Sequence, residues 1–331
     1  MSPQTVVITE PEYAKAKAIF DQVADWRVVV AAPPEAAVAA AVAAEGARAV
    51  VLGVEPYTGP LYAALPRGGV IARFGVGHDG IDKARASAAG LLVVNTPGVL
   101  EDAVAEHAMV LLLGVCRSLA GFVRSMDRHA WSPVQGLELR GRRLAVIGAG
   151  AIGRRVARCA AMGFGMGVVA MGPRLRDVDE LRRDWGVEEV TTNFGEAVRA
   201  ADVVSLHVPA HADTRHLINA AAIAQMRPGA ILINTARGAV VDEVALYDAL
   251  AGGHLRGAGL DVFETEPYVP RRPDKDLRRL ANVLLTPHVS SSTHEACARV
   301  ALACLANLRH AGAGRFGAMS LLNPEVLAHL D

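Results

Sequence analysis

The sequence Arg143-Leu144-Ala145-Val146-Ile147-Gly148-Ala149-Gly150-Ala151-Ile152-Gly153 decides the fold class of this chain. It contains the apolar run Leu144–Ile147, which predicts a short buried strand. A helical pattern extends from Ala151 to Met162, and glycines with GxGxxG spacing stand between strand and helix. A glycine turn also occurs in ordinary strand–helix units. The combination of strand, tight turn and helix nevertheless favours dinucleotide binding.

Each glycine has a separate role in this interpretation. Gly148 permits the sharp turn, Gly150 lets backbone N–H groups approach a pyrophosphate, and Gly153 lets the helix lie close to the strand. The amino-terminal end of a helix carries partial positive charge, so Ala151 and Ile152 are expected beside the phosphates.

Composition excludes several classes of protein. The chain has 331 residues, 52% of them hydrophobic, which predicts two globular domains with sizeable cores. A formal net charge of zero argues against binding to nucleic acid or to an anionic membrane. The longest apolar run, Ala108–Cys116, is too short to span a bilayer, and no signal peptide is evident. We expect a cytoplasmic protein with buried, reduced thiols at its four cysteines, Cys116, Cys159, Cys297 and Cys304.

The order of the predicted elements indicates two parallel sheets. Short apolar runs alternate with helical patterns in residues 1–100 and again after Arg143. Long helical patterns, expected to connect the two parts, extend from Glu101 to about Met126 and from Ser292 to about Ala311. We therefore predict an α/β protein with two Rossmann/flavodoxin-like parallel-sheet domains. Residues 1–100 and 289–331 form a discontinuous substrate domain, and residues 101–288 form the inserted nucleotide-binding domain.

Three polar side chains follow consecutive predicted strands. Arg237 comes after Ile231–Ile233, Glu266 after the next strand, and His288 after Val283–Leu285. Parallel strands end at one edge of a sheet, so the three side chains are expected to meet there. A nicotinamide enzyme acting on a hydroxy or keto acid needs a cation for the carboxylate, a proton donor and a group that tunes the donor. Each residue alone would more often be structural, and the position of the three at strand ends leaves both interpretations open.

The chain resembles the D-isomer-specific 2-hydroxyacid dehydrogenase family from about Arg73 to about Ala311. The phrases that carry the resemblance are GVGHDGID, NTPG, VAEH, GAGAIG, SLHVPAHADTRHLI, NTARGAVVDEVAL, GLDVFETEP and NVLLTPHVSSST, in the order and spacing of the family. The resemblance implies a substrate domain in two segments, an inserted Rossmann domain, an active site that closes between them, and a homodimer.

The resemblance also implies roles for individual residues. Arg237 would anchor the substrate carboxylate, His288 would be the general acid and base, and Glu266 would be its hydrogen-bond partner and tune it. Gly75, Val76 and Gly77 would hold the substrate carboxylate through backbone N–H groups, and His78 could reach the substrate. The implied cofactor contacts beyond the glycine turn are Gly172, Pro173, Arg174, His207, Val208, Pro209 (adenine side), Thr214, Thr235, Ala236, Arg237, Asp261 (nicotinamide amide) and His288.

One position departs from the pattern of NAD-binding domains. An acidic residue usually ends the second strand, about 20 residues after the glycine turn, and binds the ribose hydroxyls. Gly172 occupies this position, followed by Arg174 and Arg176. A carboxylate there would repel a 2′-phosphate, whereas an arginine could bind one. We therefore predict NAD(P) as cofactor, with a preference for NADP(H).

Two other segments allow competing interpretations. His207, His211 and His216 do not share a helix face, and we predict no metal site. The basic segment from Tyr268 to Arg279 is either a solvated loop or a contact for an additional anionic group on the substrate.

The predicted function is reduction of a small 2-keto acid, with hydride transfer at C2. Two alternatives stay open within the fold. A formate-type dehydrogenase is disfavoured by Glu266, because that chemistry needs no proton relay. A nucleotide-sensing scaffold of the corepressor type can retain the three catalytic residues, and motifs alone do not separate it from an enzyme.

Overall fold

The computed structural model describes residues 4–173, 175 and 177–330. They divide into two compact units. The first unit contains the described residues up to Leu100 and those from Ser292 onward, and the second unit is Glu101–Ser291. Arg174 and Arg176, on which the predicted NADP(H) preference depends, lie outside the described residues.

The first unit is built on a parallel sheet. Its strands are β1 (Gln4–Thr9), β2 (Trp26–Ala31), β3 (Ala49–Leu52), β4 (Val70–Arg73) and β5 (Leu92–Val94). Its helices before the second unit are α1 (Glu10–Lys15), α2 (Lys17–Phe20), α3 (Glu35–Glu45), α4 (Leu61–Ala64) and α5 (Lys83–Ala88). The strand order is β2-β1-β3-β4-β5, which is the flavodoxin-like order. All four residues of β3 are buried, as expected for a parallel strand covered on both faces.

The second unit has a larger parallel sheet. Its strands are β6 (Arg143–Ile147), β7 (Gly167–Met171), β8 (Glu189–Thr191), β9 (Val203–Leu206), β10 (Ala230–Asn234), β11 (Leu255–Leu260) and β12 (Val283–Leu285). Its α-helices are α6 (Glu101–Cys116), α7 (Leu119–Asp127), α8 (Ala151–Arg158), α9 (Val178–Trp185), α10 (Phe194–Arg199), α11 (Ala220–Gln225) and α12 (Glu243–Ala251). The chain then returns to the first unit, where it forms α13 (His294–Gly312).

The strand order of this sheet identifies its ligand-binding edge. The order is β12-β11-β10-β9-β6-β7-β8, so the direction of winding reverses between β6 and β9. This is the Rossmann order, and ligands bind beyond the carboxyl ends of the strands at such a reversal. The two parallel sheets confirm the predicted fold class.

The core of the second unit lies on both faces of its sheet. Along β6, Ala145 and Ile147 pack into one apolar cluster, whereas Leu144 and Val146 pack into another on the opposite face. Because side chains of a strand alternate between faces, an unbroken apolar run is needed when both faces are covered by helices. The run Leu144–Ile147 therefore marks an interior strand.

The long helix predicted from Glu101 to about Met126 is wrong in its extent. It is two helices, α6 and α7, with axes bent by 65°. Ser118 between them has a φ of 53°, a left-handed conformation that a continuous helix does not allow. Among the described residues, no single helix is long and apolar enough to cross a membrane, and α6 with α7 satisfies that criterion only as a bent pair.

The boundary after the last strand also differs from the predicted one. Residues 289–291, assigned above to the first domain, belong to the second unit, and Val289 and Ser290 are bound there through their backbone. Their backbone N–H groups donate to the Asp261 carboxylate at 2.9 and 2.8 Å, and Asp261 directly follows β11. These bonds hold the segment after β12 on the sheet of the second unit.

The cysteines are all free thiols. Cys116, Cys297 and Cys304 are buried, whereas Cys159 is only partly so, which departs from the expectation of four buried thiols. Burial raises the pKa of Cys304 to about 12, so this thiol is protonated at neutral pH.

Candidate active site

The glycine turn between β6 and α8 is closed by backbone contacts. Gly148 has a φ of 99°, and a Cβ on it would lie 2.6 Å from the carbonyl oxygen of His207. A Cβ on Gly153 would lie 2.1 Å from the carbonyl oxygen of Gly148. A Cβ on Gly150 would meet no atom of the described residues within 4 Å. Two glycines are therefore required by the turn itself, and the third faces open space at the start of α8, which fits a bound pyrophosphate.

The end of β7 has no acidic side chain at the ribose position. Gly172 follows the strand directly, and its N–H donates to the carbonyl oxygen of Thr191 at 3.2 Å. Pro173 comes next and is exposed. Gly172 and Pro173 carry no charge, so these two positions present no carboxylate that would repel a 2′-phosphate.

The end of β9 places a neutral histidine close to the glycine turn. The N–H of His207 donates to the carbonyl oxygen of Ile147 at 2.8 Å, and its Nε2 lies 2.8 Å from Ser205 Oγ. Burial lowers the pKa of His207 to about 4, so the ring is uncharged at neutral pH.

The segment after His207 forms a tight turn. Thr214 Oγ1 donates to the carbonyl oxygen of Pro209 at 2.7 Å and accepts the N–H of His211 at 2.9 Å. Val208 packs against the apolar core. The Thr214 hydroxyl thus stabilises its own turn, and its predicted cofactor contact stays a prediction. Among the described residues, no group of three or more His, Cys, Asp or Glu side chains could hold a metal ion.

His288 and Glu266 form a hydrogen-bonded pair beyond the ends of β12 and β11. His288 Nδ1 lies 2.6 Å from Glu266 Oε2. The side chains are 27% and 29% exposed, so a small substrate can reach them. The backbone N–H of His288 donates to the carbonyl oxygen of Asp261 at 2.8 Å, which fixes its loop although its φ is 53°.

The carboxyl group of Glu266 is held in its ionised form. Burial alone would raise its pKa, but the hydrogen bond and charge of His288, the N–H of Phe263 and the charge of Arg237 together lower the pKa below its ordinary value. Glu266 Oε1 accepts the Phe263 N–H at 2.9 Å. An ionised carboxylate accepts a hydrogen bond from His288 Nδ1–H, which leaves Nε2 as the nitrogen that exchanges a proton with a substrate.

Arg237 lies in a loop that follows β10 and is fixed by a buried asparagine. Asn234 Nδ2 donates to the carbonyl oxygen of Arg237 at 2.9 Å, and Asn234 Oδ1 accepts the N–H of Ala236 at 3.0 Å. A Cβ on Gly238 would lie 1.8 Å from the carbonyl carbon of Phe263, so this loop packs directly on the loop that carries Glu266. Thr235 is buried in the same loop. The structure thus brings the loops of Arg237, Glu266 and His288 to neighbouring strand ends.

Asp261 has a structural role that the sequence does not reveal. It is fully buried, and Oδ1 accepts hydrogen bonds from Thr286 Oγ1 at 2.5 Å and Val289 N at 2.9 Å. Its carboxylate therefore anchors the loop that carries His288. His107 on α6 extends this network, with Nε2 2.9 Å from Thr286 Oγ1. The phrase VAEH is the only sequence signal for His107, and no spacing points to its partner. The contact of Asp261 with a nicotinamide amide stays a prediction.

The predicted carboxylate-binding loop lies in the first unit, after β4. Gly75 has a φ of 131°, and its carbonyl oxygen accepts the N–H of Thr96 at 3.1 Å. The carbonyl oxygen of Val76 accepts Asn95 Nδ2 at 2.8 Å. His78 Nδ1 lies 3.1 Å from Lys83 Nζ. The phrases containing Gly75 and Asn95 therefore meet in space, and their bonds orient the loop.

The cations of the basic segment from 268 to 279 face carboxylates. Arg272 pairs with Asp274 at 3.0 Å, and Arg278 pairs with Asp276 at 2.8 Å. Arg271 Nε lies 3.8 Å from Glu264 Oε2. These pairs favour the solvated-loop interpretation, and an additional anionic group on the substrate stays a hypothesis.

A Rossmann sheet with a closed glycine turn and a histidine–carboxylate pair at the same edge is the arrangement of a nicotinamide-dependent dehydrogenase. Comparison with known proteins agrees. Residues 109–290 match the family described as D-isomer specific 2-hydroxyacid dehydrogenase, NAD binding domain. The chain belongs to this family, whose members are oxidoreductases that act on CH–OH donors.

Relatives with curated names show the range of the family. The chain is 42% identical over 240 residues to a glyoxylate reductase of Thermococcus litoralis, and the match covers 70% of each chain. It is 41% identical over 256 residues to a D-3-phosphoglycerate dehydrogenase of Mycobacterium tuberculosis, covering 77% of this chain but 47% of that longer protein. Among solved structures, the NADPH-dependent glyoxylate/hydroxypyruvate reductase of Sinorhizobium meliloti, in complex with NADP and malonate, is similar with a TM-score of 0.78 and 30% identity, covering 93% of both chains.

Proposed function

We propose that this enzyme reduces a small 2-keto acid to the D-2-hydroxy acid, with His288, Glu266 and Arg237 as its catalytic residues. The observation that carries the proposal is the 2.6 Å contact between His288 Nδ1 and Glu266 Oε2 at neighbouring strand ends. A bound nicotinamide supplies the hydride that adds to C2. His288 Nε2 donates the proton that the carbonyl oxygen needs, and Glu266 stabilises the imidazolium that precedes this transfer.

Arg237 supplies the positive charge that a carboxylate substrate requires. A guanidinium can bind a carboxylate through two parallel hydrogen bonds, which fixes the orientation of the adjoining carbonyl group. The Gly75 N–H donates to the carbonyl oxygen of Arg73 at 2.9 Å, so we propose that the Val76 and Gly77 N–H groups of the Gly75–Gly77 loop bind carboxylate oxygens. His288 acts in the reverse direction as the base that removes the hydroxyl proton.

A panel of 2-keto acids tests this function directly. Oxidation of NADH and NADPH is followed at fixed enzyme concentration with glyoxylate, hydroxypyruvate, pyruvate and phosphorylated analogues. Turnover of at least one keto acid is expected. Cofactor binding without any turnover would instead support the nucleotide-sensing scaffold, and reduction of NAD by formate would support the formate-type enzyme. Equal turnover of phosphorylated and unphosphorylated substrates would contradict a role for the 268–279 segment in binding a further anion.

We also propose that the enzyme prefers NADP(H) over NAD(H). Gly172 occupies the ribose position without a carboxylate, and a similar reductase was solved with NADP. The ratio of kcat/KM for NADPH to that for NADH should exceed one in the wild type. Gly172→Asp should lower this ratio, because the new carboxylate repels a 2′-phosphate and accepts ribose hydroxyls. A wild-type ratio at or below one contradicts the preference.

The second unit presents an apolar surface that we propose pairs with a second copy of the chain. Every residue of α7 is at least partly exposed, and Leu119, Val123 and Met126 recur on one helical face. Trp131, just beyond the helix, is 84% exposed. An exposed apolar patch of this kind is typical of an interface between subunits. A homodimer formed through this surface accounts for its exposure.

A further inference from the structure

Two further carboxyl groups lie close to Glu266 and have no part in the proposed chemistry. Glu243 is the first residue of α12, and Glu264 lies two residues before Glu266. Glu243 is 5% exposed, and the side chain of Glu264 is 4% exposed. Glutamate is rarely buried to this extent unless its charge is compensated.

The two glutamates bind each other's backbone. Glu243 Oε1 accepts the N–H of Glu264 at 2.7 Å, and Glu264 Oε1 accepts the N–H of Glu243 at 3.3 Å. Glu264 Oε2 lies 3.0 Å from His216 Nε2 and 3.8 Å from Arg271 Nε. We name this reciprocal pair, Glu243 with Glu264, the glutamate clamp.

The clamp joins the loop that carries Arg237 to the loop that carries Glu266. Glu243 ends the segment that begins at Arg237, and Glu264 belongs to the turn that presents Glu266. Within this turn, Phe263 N–H donates to Glu266 Oε1 at 2.9 Å. Gly238 packs against the Phe263 backbone on the other side. Displacement of Glu264 would therefore move both the donor to Glu266 and the surface on which the Arg237 loop rests.

The clamp places a titratable carboxyl group in a buried position. Glu243 Oε2 is buried without a hydrogen-bond partner among the described residues. Burial raises the pKa of Glu243 to about 7, and the charge of Glu264 adds to this rise, although the Glu264 N–H and the charge of Arg271 oppose it. The charge of Glu266 also raises the pKa of Glu243, and Tyr268 and His216 are further titratable groups beside the clamp. Glu243 is thus protonated below neutral pH and exchanges its proton near neutrality.

We propose that protonated Glu243 is a positioning residue of the reaction proposed above, which holds the turn carrying Glu266 against the loop carrying Arg237 through Glu264. It touches neither substrate nor cofactor. Ionisation of Glu243 adds a third negative charge beside Glu264 and Glu266, and repulsion between like charges weakens the clamp. The geometry of the His288–Glu266 pair therefore depends on the protonation of a residue outside that pair.

Three variants of the full chain test the proposal. Glu243→Gln keeps an oxygen that accepts the Glu264 N–H but cannot ionise, and Glu243→Ala removes the acceptor. Glu196→Gln is the matched control, because Glu196 is also in the first turn of a helix of the second unit but is exposed. The kcat and KM of each variant are measured between about pH 6 and 9, a range that brackets an acid titrating near neutrality.

Glu243→Ala should lower kcat by roughly tenfold or more, because small displacements of catalytic groups are costly, while the cofactor Kd is unchanged. Glu243→Gln should restore turnover, and its activity relative to wild type should rise as the pH increases through about 7. A wild-type kcat in Glu243→Ala, or a Glu243→Gln ratio that stays constant or falls with pH, overturns the proposal. An unchanged cofactor Kd in each variant shows that the fold is intact.

A spectroscopic measurement separates this proposal from the proposed function. The imidazole resonances of His288, assigned in labelled protein by their loss in His288→Ala, report its contact with Glu266 without turnover. Glu243→Ala should shift these resonances, and Glu243→Gln should leave them close to wild type at about pH 6, where Glu243 is protonated. Unchanged resonances in Glu243→Ala overturn the clamp. If they shift but no keto acid is reduced by the wild type, the proposed function fails and the clamp stands.

Discussion

His288 combines two properties that proton transfer requires. Its Nδ1 is engaged by Glu266, and the pair remains partly exposed. We expect His288→Ala to lower kcat by about 10²–10⁴-fold, because the general acid is lost, while the Kd for the cofactor changes little. Steady-state rates and a fluorescence titration with NADPH measure the two quantities. The control is His294→Ala, since His294 is an exposed residue at the start of α13. Unchanged turnover in His288→Ala would refute the assignment.

His207 predicts a dependence of stability on pH. Its pKa is about 4 in the folded chain and about 6.5 in an unfolded one. Between these values the unfolded state binds more protons, so the free energy of unfolding falls as the pH drops from about 6.5 towards 4. His207→Gln removes this contribution, and its melting temperature should decline less between about pH 7 and pH 5 than that of the wild type.

The comparison for His207 is the difference between the two melting curves at each pH, since other groups titrate in the same range. His294→Gln should follow the wild type, because its side chain is exposed. Parallel pH dependences for His207→Gln and wild type would show that the folded chain does not lower the pKa of His207.

At the scale of elements, we expect different glycines of the turn between β6 and α8 to serve folding and cofactor binding. Gly153→Ala should destabilise the chain by about 1–3 kcal/mol, because the new methyl group collides with the backbone of Gly148. Gly150→Ala should cost less stability than Gly153→Ala, since its Cβ meets open space and its φ is −76°, and the remaining cost is that of a poorer N-cap for α8. It should still weaken cofactor binding, because the methyl group occupies the path to the phosphates.

Thermal melts without cofactor and calorimetric titrations with NADPH measure the two effects of these glycine variants. The separate roles of the two glycines would be contradicted if Gly150→Ala lost as much stability as Gly153→Ala. They would also be contradicted if Gly150→Ala bound the cofactor as tightly as the wild type.

The elements that the sequence predicts well are those whose signal is local. The run Leu144–Ile147 is apolar because both faces of β6 are covered, and the glycines after it have steric requirements of their own. The strand β8 escapes prediction because it is a three-residue edge strand with no buried residue. The break at Ser118 escapes prediction because the apolar period continues across it from α6 into α7.

The residues of the candidate site also divide into those that the sequence reveals and those that it does not. Arg237, Glu266 and His288 are visible in the sequence because each follows a strand, and parallel order brings strand ends together. Glu243 and Glu264 are not, because a buried glutamate pair has the same sequence signal as two glutamates at a helix start and in a turn. Only the hydrogen bonds between the two loops distinguish the buried pair from two unrelated glutamates.

At the scale of the whole molecule, the surface formed by α7 and Trp131 predicts an assembly in solution. Replacing Val123 and Met126 together by Asp should convert a dimer to monomers, because two charges would be desolvated at the interface. Light scattering after gel filtration gives the mass. Leu302→Asp is the control, since Leu302 is also exposed but belongs to α13 in the first unit. A wild-type monomer, or a double variant with unchanged mass, would contradict the dimer.

The first unit draws its residues from two distant parts of the chain. Leu322 N–H donates to the carbonyl oxygen of Val93 at 2.8 Å, and the Val93 N–H donates to Asn323 Oδ1 at 2.8 Å. Val94 also forms an antiparallel bridge with Leu321. The free edge of β5 is thus covered by residues that lie more than two hundred positions later.

On the ribosome this arrangement sets an order of events. The whole of Glu101–Ser291 is synthesised without interruption, so the dinucleotide-binding unit can fold while translation continues. During the same interval the residues before Glu101 have emerged but lack both α13 and the segment that covers β5. An uncovered strand edge can pair with another chain. The nascent chain is therefore most vulnerable to aggregation through the first segment of its discontinuous unit, until the second segment arrives.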